Sequence, residues 1–260
     1  MVCWESVAIG YASYLAAVAW TIPRFREARL ATLGAAAGAW LFLPLVSATA
    51  GAMPDTVRAL TPAPVLLAGY WLSGLFYVAP MPRLEGLLLR VDDACLSVLS
   101  RLIPVGGVID RYLELSYLLV YAVVPAGAIA LLFAGRASEI ERFWSTVMLA
   151  AFASYGALPW LQTRPPRMLE HAETHRQPRL RRLNLWVLGR GSIQANTIPS
   201  GHAATATAVA LVVGSAVPEA RAALLVIASS IVLATVVGRY HFVVDSVAGT
   251  VVGFIAWAVG

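Results

Sequence analysis

Two features of the sequence predict an all-α bundle of membrane helices. Hydrophobic residues make up 59% of the 260 and charged residues only 13%, against about 25% charged in a typical soluble domain. The apolar residues also fall in runs close to the roughly 20 that a bilayer core demands, with the charges gathered between them.

Taken in order, the runs give eight candidate spans over residues 6–23, 30–53, 64–80, 115–135, 143–161, 199–217, 222–238 and 242–258. The first lacks a basic segment at its head and carries only Glu5 there, which predicts a membrane helix rather than a cleaved signal peptide. An arginine-rich link, Arg24 to Arg29, joins it to the second, where Gly34 and Gly38 form a small-xxx-small pair suited to close helix contact. The third is short and bounded by Pro62, Pro64, Pro80 and Pro82, so a tilted span and a re-entrant segment both fit it. Between residues 83 and 103 the pattern changes. Arg83, Arg90, Asp93, Ser97, Ser100 and Arg101 recur at helical steps opposite Leu84, Leu87, Leu88, Val91, Cys95, Val98, Leu99 and Leu102, which predicts an amphipathic helix lying along the membrane surface. The spans at 115–135 and 143–161 form an antiparallel hairpin, and residues 162–195 make the longest polar loop. The expected organisation is two N-terminal membrane helices over 1–63 and a six-helix membrane domain over 64–260, with no second soluble domain.

All 19 basic residues are arginine, and the net charge is +5. No basic run is interleaved with stacking aromatics, so lipid headgroups and loop topology explain the charge better than nucleic acid does. Cys3 and Cys95 are the only cysteines and support neither a disulfide framework nor a cysteine metal site. His171 and His175 are four apart but lie beside Glu170 and Glu173 in a polar loop. They read as a solvated helix face; no metal and no cofactor is assigned.

Chemistry concentrates in three stretches. In Asn196-Thr197-Ile198-Pro199-Ser200-Gly201-His202, a helix-breaking turn opens onto about twenty apolar residues. Ser200 suits the N-cap, Gly201 permits close approach of a ligand, and the N–H groups of the first turn suit an anion such as phosphate. In Gly238 to Asp245, His241 and Asp245 are four apart; on a helix the acid holds one ring nitrogen and leaves the other free as a nucleophile. Thr163-Arg164-Pro165-Pro166-Arg167 supplies guanidinium forks that match a phosphate. Following the spans alternately across the bilayer brings Arg167, His202 and His241 to one side. The arginines from Arg176 to Arg190 are expected to contact headgroups. Gly249 and Gly253 extend the stripe of His241 and Asp245 and predict tight packing there.

Pro199–His202 reproduces Pro-Ser-Gly-His, and His241 with Asp245 reproduces His-x-x-x-Asp; through both, the chain resembles the phosphatidic acid phosphatase type 2 superfamily. The resemblance runs from about Pro64 to Gly260. It implies that His241 is a nucleophile, Asp245 orients it, His202 is the general acid, and Arg164 and Arg167 bind phosphoryl oxygens with Ser200 and Gly201. Two positions depart from the pattern. Ala157 stands where the first motif has lysine, and Thr235 stands where the third has arginine; Arg239, one helical turn away, is expected to substitute. Pro-Pro-Arg with Arg-Tyr-His-Phe-x-x-Asp, and the stretch from Asp110 to Tyr117, resemble the branch that contains inositol phosphorylceramide synthases.

The expected protein is therefore a multi-pass cell-membrane enzyme acting on a phosphorylated lipid through a phosphohistidine. Hydrolysis is the first expectation, transfer of the phosphoryl group to an alcohol the second. The rival from another class is an inactive transporter or scaffold of the same fold, prompted by the missing lysine and moved arginine. An extracytoplasmic site is expected, with both termini in the cytoplasm.

Overall fold

A computed structural model describes residues 3–102, 107–169 and 179–260. The described chain is helical, and its one bridge between extended residues joins Thr163 to Asn196. The helices are α1 (Trp4–Thr21), α2 (Arg29–Thr49), α3 (Asp55–Leu60), α4 (Pro62–Gly74), α5 (Pro82–Leu102), α6 (Gly107–Phe133), α7 (Ile140–Gly156), α8 (Arg179–Gly191), α9 (Gly201–Ala216), α10 (Arg221–Val237) and α11 (Val243–Val259). Three stretches, Pro23–Ala52, Gly107–Phe133 and Pro218–Val237, are helical, long and apolar enough to cross a membrane. Helices α9 and α11 are apolar but shorter, at 16 and 17 residues.

The centre of the bundle is α9. From Ala203 to Ala210 every residue is buried, because a run of alanine and threonine lets neighbouring backbones approach on all sides. Helices α6, α7, α10 and α11 surround it. The tightest approach is to α11: a Cβ at Gly249 would collide with the Ser200 carbonyl, and one at Gly253 with the Ala204 carbonyl. The glycine stripe thus packs where the sequence placed it.

Helix α1 lays Trp4, Ala8, Tyr11 and Leu15 into the core shared with α7. Helix α2 rests on α1 and leaves Trp40, Leu41, Phe42 and Leu45 exposed, a surface that suits lipid rather than water. The third expected span is interrupted. Its helix α4 has 13 residues, about 20 Å of rise against a bilayer core of about 30 Å. Helix α6 begins earlier than expected, at Gly107, and its first turns carry Asp110, Glu114 and Tyr117 towards the site end of the bundle.

The expected amphipathic helix is present as α5. Leu84, Leu88 and Leu89 pack on Ile198 and Phe242, while Leu87, Val91 and Val98 are exposed, as on a helix that faces the protein with one stripe and lipid with another. Its protein-facing side also holds two acids, Glu85 and Asp92, both buried. The sequence pattern had set the arginines apart from the leucines and gave these acids no role.

Candidate active site

The site forms where α10 ends and α11 begins. Helix α10 stops at Val237, and Arg239 takes a left-handed backbone, with φ 58°. Such a conformation costs a non-glycine residue on the order of 1–3 kcal/mol and persists when its surroundings hold it. Here they do: the amides of Tyr240 and His241 both donate to the Thr235 carbonyl at 2.9 Å. Thr235 also joins its hydroxyl to that of Ser246 at 2.8 Å, which ties the end of α10 to the start of α11. Arg239 therefore lies in a turn, so the helical geometry by which it was expected to reach the place of Thr235 does not apply.

Phe242 caps α11, and Asp245 in the first turn accepts the Phe242 amide at 3.1 Å, a position where the helix dipole favours a carboxylate. His241 precedes the helix rather than riding on it. The turn nonetheless brings its Nδ1 to 3.6 Å from Asp245 Oδ2. Asp245 Oδ2 also accepts from Asn196 Nδ2 at 2.7 Å, and its backbone carbonyl accepts the Ser200 amide at 2.9 Å. Asn196 in turn donates its amide to the Thr163 carbonyl at 2.8 Å and its side chain to Thr163 Oγ1 at 3.1 Å. The loop is closed by the Arg167 amide, which donates to the Arg239 carbonyl at 2.9 Å. Three stretches far apart in sequence are thus laced to one another largely through backbone groups.

At the start of α9, Ser200 is the N-cap and its Oγ accepts the Ala203 amide at 3.3 Å. The Gly201 amide donates to Thr197 Oγ1 at 3.3 Å, so two N–H groups of this turn have partners within the protein. A side chain at Gly201 would strike the Tyr155 ring; its lack of a Cβ serves packing here. The turn sets His202 so that its Nδ1 lies 3.3 Å from His241 Nε2 and its Nε2 lies 3.5 Å from the Tyr117 hydroxyl.

Arg167, His202, His241, Tyr117, Tyr240 and Asn196 line a small cavity of about 40 Å³. Burial, and then the Arg167 charge, lower His241 from its ordinary value to about 3, so the ring is neutral at pH 7 and one of its nitrogens carries a free lone pair. Burial lowers Arg167 as well, as for a cation aimed into the protein rather than at water. Next to it, and sharing Tyr70, Tyr155, Ser192 and His202, lies an apolar cavity of about 350 Å³ between α4, α6 and α9. The first compartment is lined mainly by polar side chains and the second mainly by apolar ones.

A family model described as PAP2 superfamily matches residues 94–259. The chain belongs to the PAP2 superfamily. The match covers 166 of the 260 residues and starts later than the resemblance that runs from Pro64. No curated protein and no solved structure matches the chain. Superfamily membership, with the apolar helices, makes this a membrane protein of the phosphatase or phosphotransferase type.

The other two arginines singled out in this PAP2 protein carry acids. Arg164 pairs with Glu85 of α5 through Nη2 at 2.7 Å, and its amide and Nε donate to the same carboxylate. Burial alone raises Glu85; the hydrogen bonds and charge of Arg164 outweigh it and hold the carboxyl below its ordinary value. Arg239 donates from Nη1 to Asp92 Oδ2 at 2.5 Å. Burial holds Asp92 above its ordinary value against the pull of the Val243 amide and Arg239. His171 and His175 lie outside the described residues.

A buried polar knot that residue types alone did not reveal lies beside the turn that carries His241. Glu114 of α6 accepts from Arg181 Nη1 at 3.0 Å, from Asn184 Nδ2 and from the Tyr240 hydroxyl at 2.6 Å. Arg181 donates as well to the Gly238 carbonyl at 2.9 Å. It is therefore a structural cation, not the headgroup contact expected of it; its neighbours Arg182 and Arg190 are exposed. Tyr240 stacks on Tyr117 at 3.7 Å, and Tyr117 stacks on His202 at 5.2 Å. The knot thus reaches the imidazole through two rings. Its sequence signal was Asn184, an uncharged amide in the middle of an arginine-rich run.

Proposed function

We propose that this protein is an integral membrane lipid-phosphate phosphatase that works through a phosphohistidine on His241. What supports the reading is that a neutral His241 Nε2, His202 and Arg167 share one small polar cavity that opens beside a larger apolar one. His241 Nε2 attacks phosphorus, the bond from phosphorus to the lipid oxygen breaks, and His202 relays to that oxygen the proton that the phosphate monoanion brings into the site. Arg167 takes the charge that builds on the other phosphoryl oxygens. Water then adds to phosphorus, the bond to His241 breaks, and the water proton returns to His202. Asp245 faces Nδ1 at 3.6 Å and orients the ring by its charge, and the hydrogen bond between the two histidines is the contact that the phosphoryl group displaces. Arg164, Ser200 and Gly201 shape the surrounding loops, and the lipid chain leaves through the apolar cavity.

Phosphate release from short-chain phosphatidic acid and from farnesyl diphosphate by purified protein tests the reading. Activity is expected in wild type and none in His241→Ala, with Asp245→Asn reduced by up to about 10⁴-fold because the ring is no longer held in the productive tautomer. Full activity in His241→Ala refutes the mechanism, and no phosphate from any substrate refutes hydrolysis. The stretch around Tyr117 and Tyr240 resembles the inositol phosphorylceramide synthase branch, so the same assay is run with an alcohol acceptor; a phosphorylated alcohol in place of free phosphate turns the assignment to a phosphotransferase.

A further inference from the structure

We infer that Asp92, on the amphipathic helix α5, is the positioning residue for the nucleophile: one buried carboxylate holds both ends of the turn that carries His241. Its Oδ2 accepts from Arg239 Nη1, and its Oδ1 accepts the Val243 amide at 2.8 Å. His241 lies between those two contacts, two residues from each. Asp92 is fully buried and is not among the residues that line the phosphate cavity, so it acts through the turn and not on the substrate.

The two contacts do different work. Val243 is the first residue of α11, and a carboxylate against its amide fixes where that helix starts, since first-turn N–H groups have no partner within the helix. Arg239 is the residue with the left-handed backbone, and its carbonyl accepts the Arg167 amide. A displaced Arg239 therefore carries with it both the nucleophile, two residues on, and the arginine that faces the phosphoryl group. Leu88 and Leu84, one turn and two turns before Asp92 on the same helix, pack against Phe242 and Ile198, which seats the carboxylate on the turn. Glu85, two turns before Asp92, holds Arg164 in the loop that carries Arg167. Helix α5 thus grips both loops with acids that share one face.

This inference rests on the phosphohistidine reading, and its test separates the two. Asp92→Asn keeps the shape and an acceptor but removes the negative charge that faces Arg239. Asp92→Glu keeps the charge and lengthens the reach. Asp93→Asn removes the same charge from the exposed neighbouring position. In full-length protein in detergent, with short-chain phosphatidic acid, Asp92→Asn is expected to lower kcat by about 10- to 100-fold with KM within twofold, because an error of about 1 Å at a reacting atom costs about that much while the lipid chain is recognised elsewhere. Asp92→Glu is expected between Asp92→Asn and wild type, and Asp93→Asn equal to wild type. Binding of inorganic phosphate, followed by phosphorus NMR, is expected to weaken in Asp92→Asn in parallel.

Wild-type kcat in a folded Asp92→Asn overturns the inference, as does an equal loss in Asp93→Asn. If Asp92→Asn fails to fold, Asp92→Glu decides: a wild-type kcat there overturns it, and a lowered kcat at unchanged KM supports it. If wild type hydrolyses none of the substrates, the functional reading has failed. The phosphate arm still judges the inference: weaker binding in Asp92→Asn upholds it and unchanged binding rejects it.

Discussion

The amide of Arg167 donates to the carbonyl of Arg239 at 2.9 Å, so the two arginines sit side by side along the backbone while their side chains have different tasks. Arg167 lines the small polar cavity, and Arg239 is paired with Asp92. Replacing Arg167 by lysine keeps the charge and loses the fork. Hydrogen bonds to a charged group contribute about 1.5–3 kcal/mol each, so Arg167→Lys is expected to lower kcat/KM by about 10- to 100-fold. Arg239→Lys retains a cation for Asp92 and is expected to cost less than Arg167→Lys in phosphate affinity. Phosphate binding and steady-state kinetics on both variants check this; an Arg239→Lys defect in phosphate affinity larger than that of Arg167→Lys moves Arg239 into direct contact with the phosphoryl group.

Arg181 and Glu114 form an ion pair with both side chains 8% exposed. Removing one partner of a buried pair leaves the other charge uncompensated, at about 3–5 kcal/mol. Arg181→Ala is therefore expected to be strongly destabilised, whereas Arg182→Ala, one residue on and exposed, should fall within about 0.5 kcal/mol of wild type. Thermal unfolding of the two variants in the same detergent measures the contrast. Equal melting temperatures remove Arg181 from the structural knot.

The Glu85 carboxyl is held below its ordinary value of 4.5 by Arg164. A folded value below the unfolded one means the pair stabilises the fold fully above about pH 4.5. That contribution falls away as the pH drops through the lower, folded value, because the unfolded chain binds the proton first. Wild type is accordingly expected to lose stability on acidification below about pH 4.5 more steeply than Glu85→Gln, with the two curves parallel above it. Melting temperatures across that range are the measurement; parallel curves throughout remove the pair as an acid-sensitive tether.

What was legible in the sequence were the features carried by pattern and by rare residue types. The charge spacing of α5, the Ser200 cap and the glycine stripe of α11 follow from local chemistry, and the shared side of Arg167, His202 and His241 from counting spans alternately across the bilayer. The rest depends on tertiary pairing. The apolar run that stops at Gly238 sets Arg239 just past α10, but nothing in it announces the left-handed turn there, and helix periodicity then misplaces the side chain. Asp92 and Asp93 are adjacent acids on one amphipathic helix, and only the position of the catalytic turn decides that one is buried and the other exposed. Glu114 and Arg181 are 67 residues apart, and each looked like an ordinary charge near a membrane surface until the fold joined them.

The membrane face of the site gives the last prediction, an extracytoplasmic site. Helix α7 supplies a ruler. At its first turns the Trp4 amide donates to Glu141 at 3.1 Å and Gly260 sits beside Thr146, while Arg24 donates to the Pro159 carbonyl just past its other end. Trp4 and Gly260 therefore lie at one end of the bundle and the catalytic loops at the other. Outside the loop 162–195, and leaving aside Arg239, whose charge is paired with Asp92 at the site, the site end carries Arg24, Arg26, Arg29, Arg83, Arg90, Arg101 and Arg111, and the opposite end Arg58, Arg136, Arg142 and Arg221. Counted whole, the arginines favour a cytoplasmic site, since cytoplasmic loops collect basic residues. Four of the seven, however, lie in α5 or at the start of α6, where an anionic substrate and anionic headgroups explain them as well as topology does. Without those four, the opposite end carries the excess, which predicts that it faces the cytoplasm with Trp4 and Gly260. A reporter fused at Gly260 is expected to be active in the cytoplasm, and one inserted in the loop 162–195 only outside it. A loop reporter active only in the cytoplasm reverses the orientation and returns the α5 arginines to the topology count.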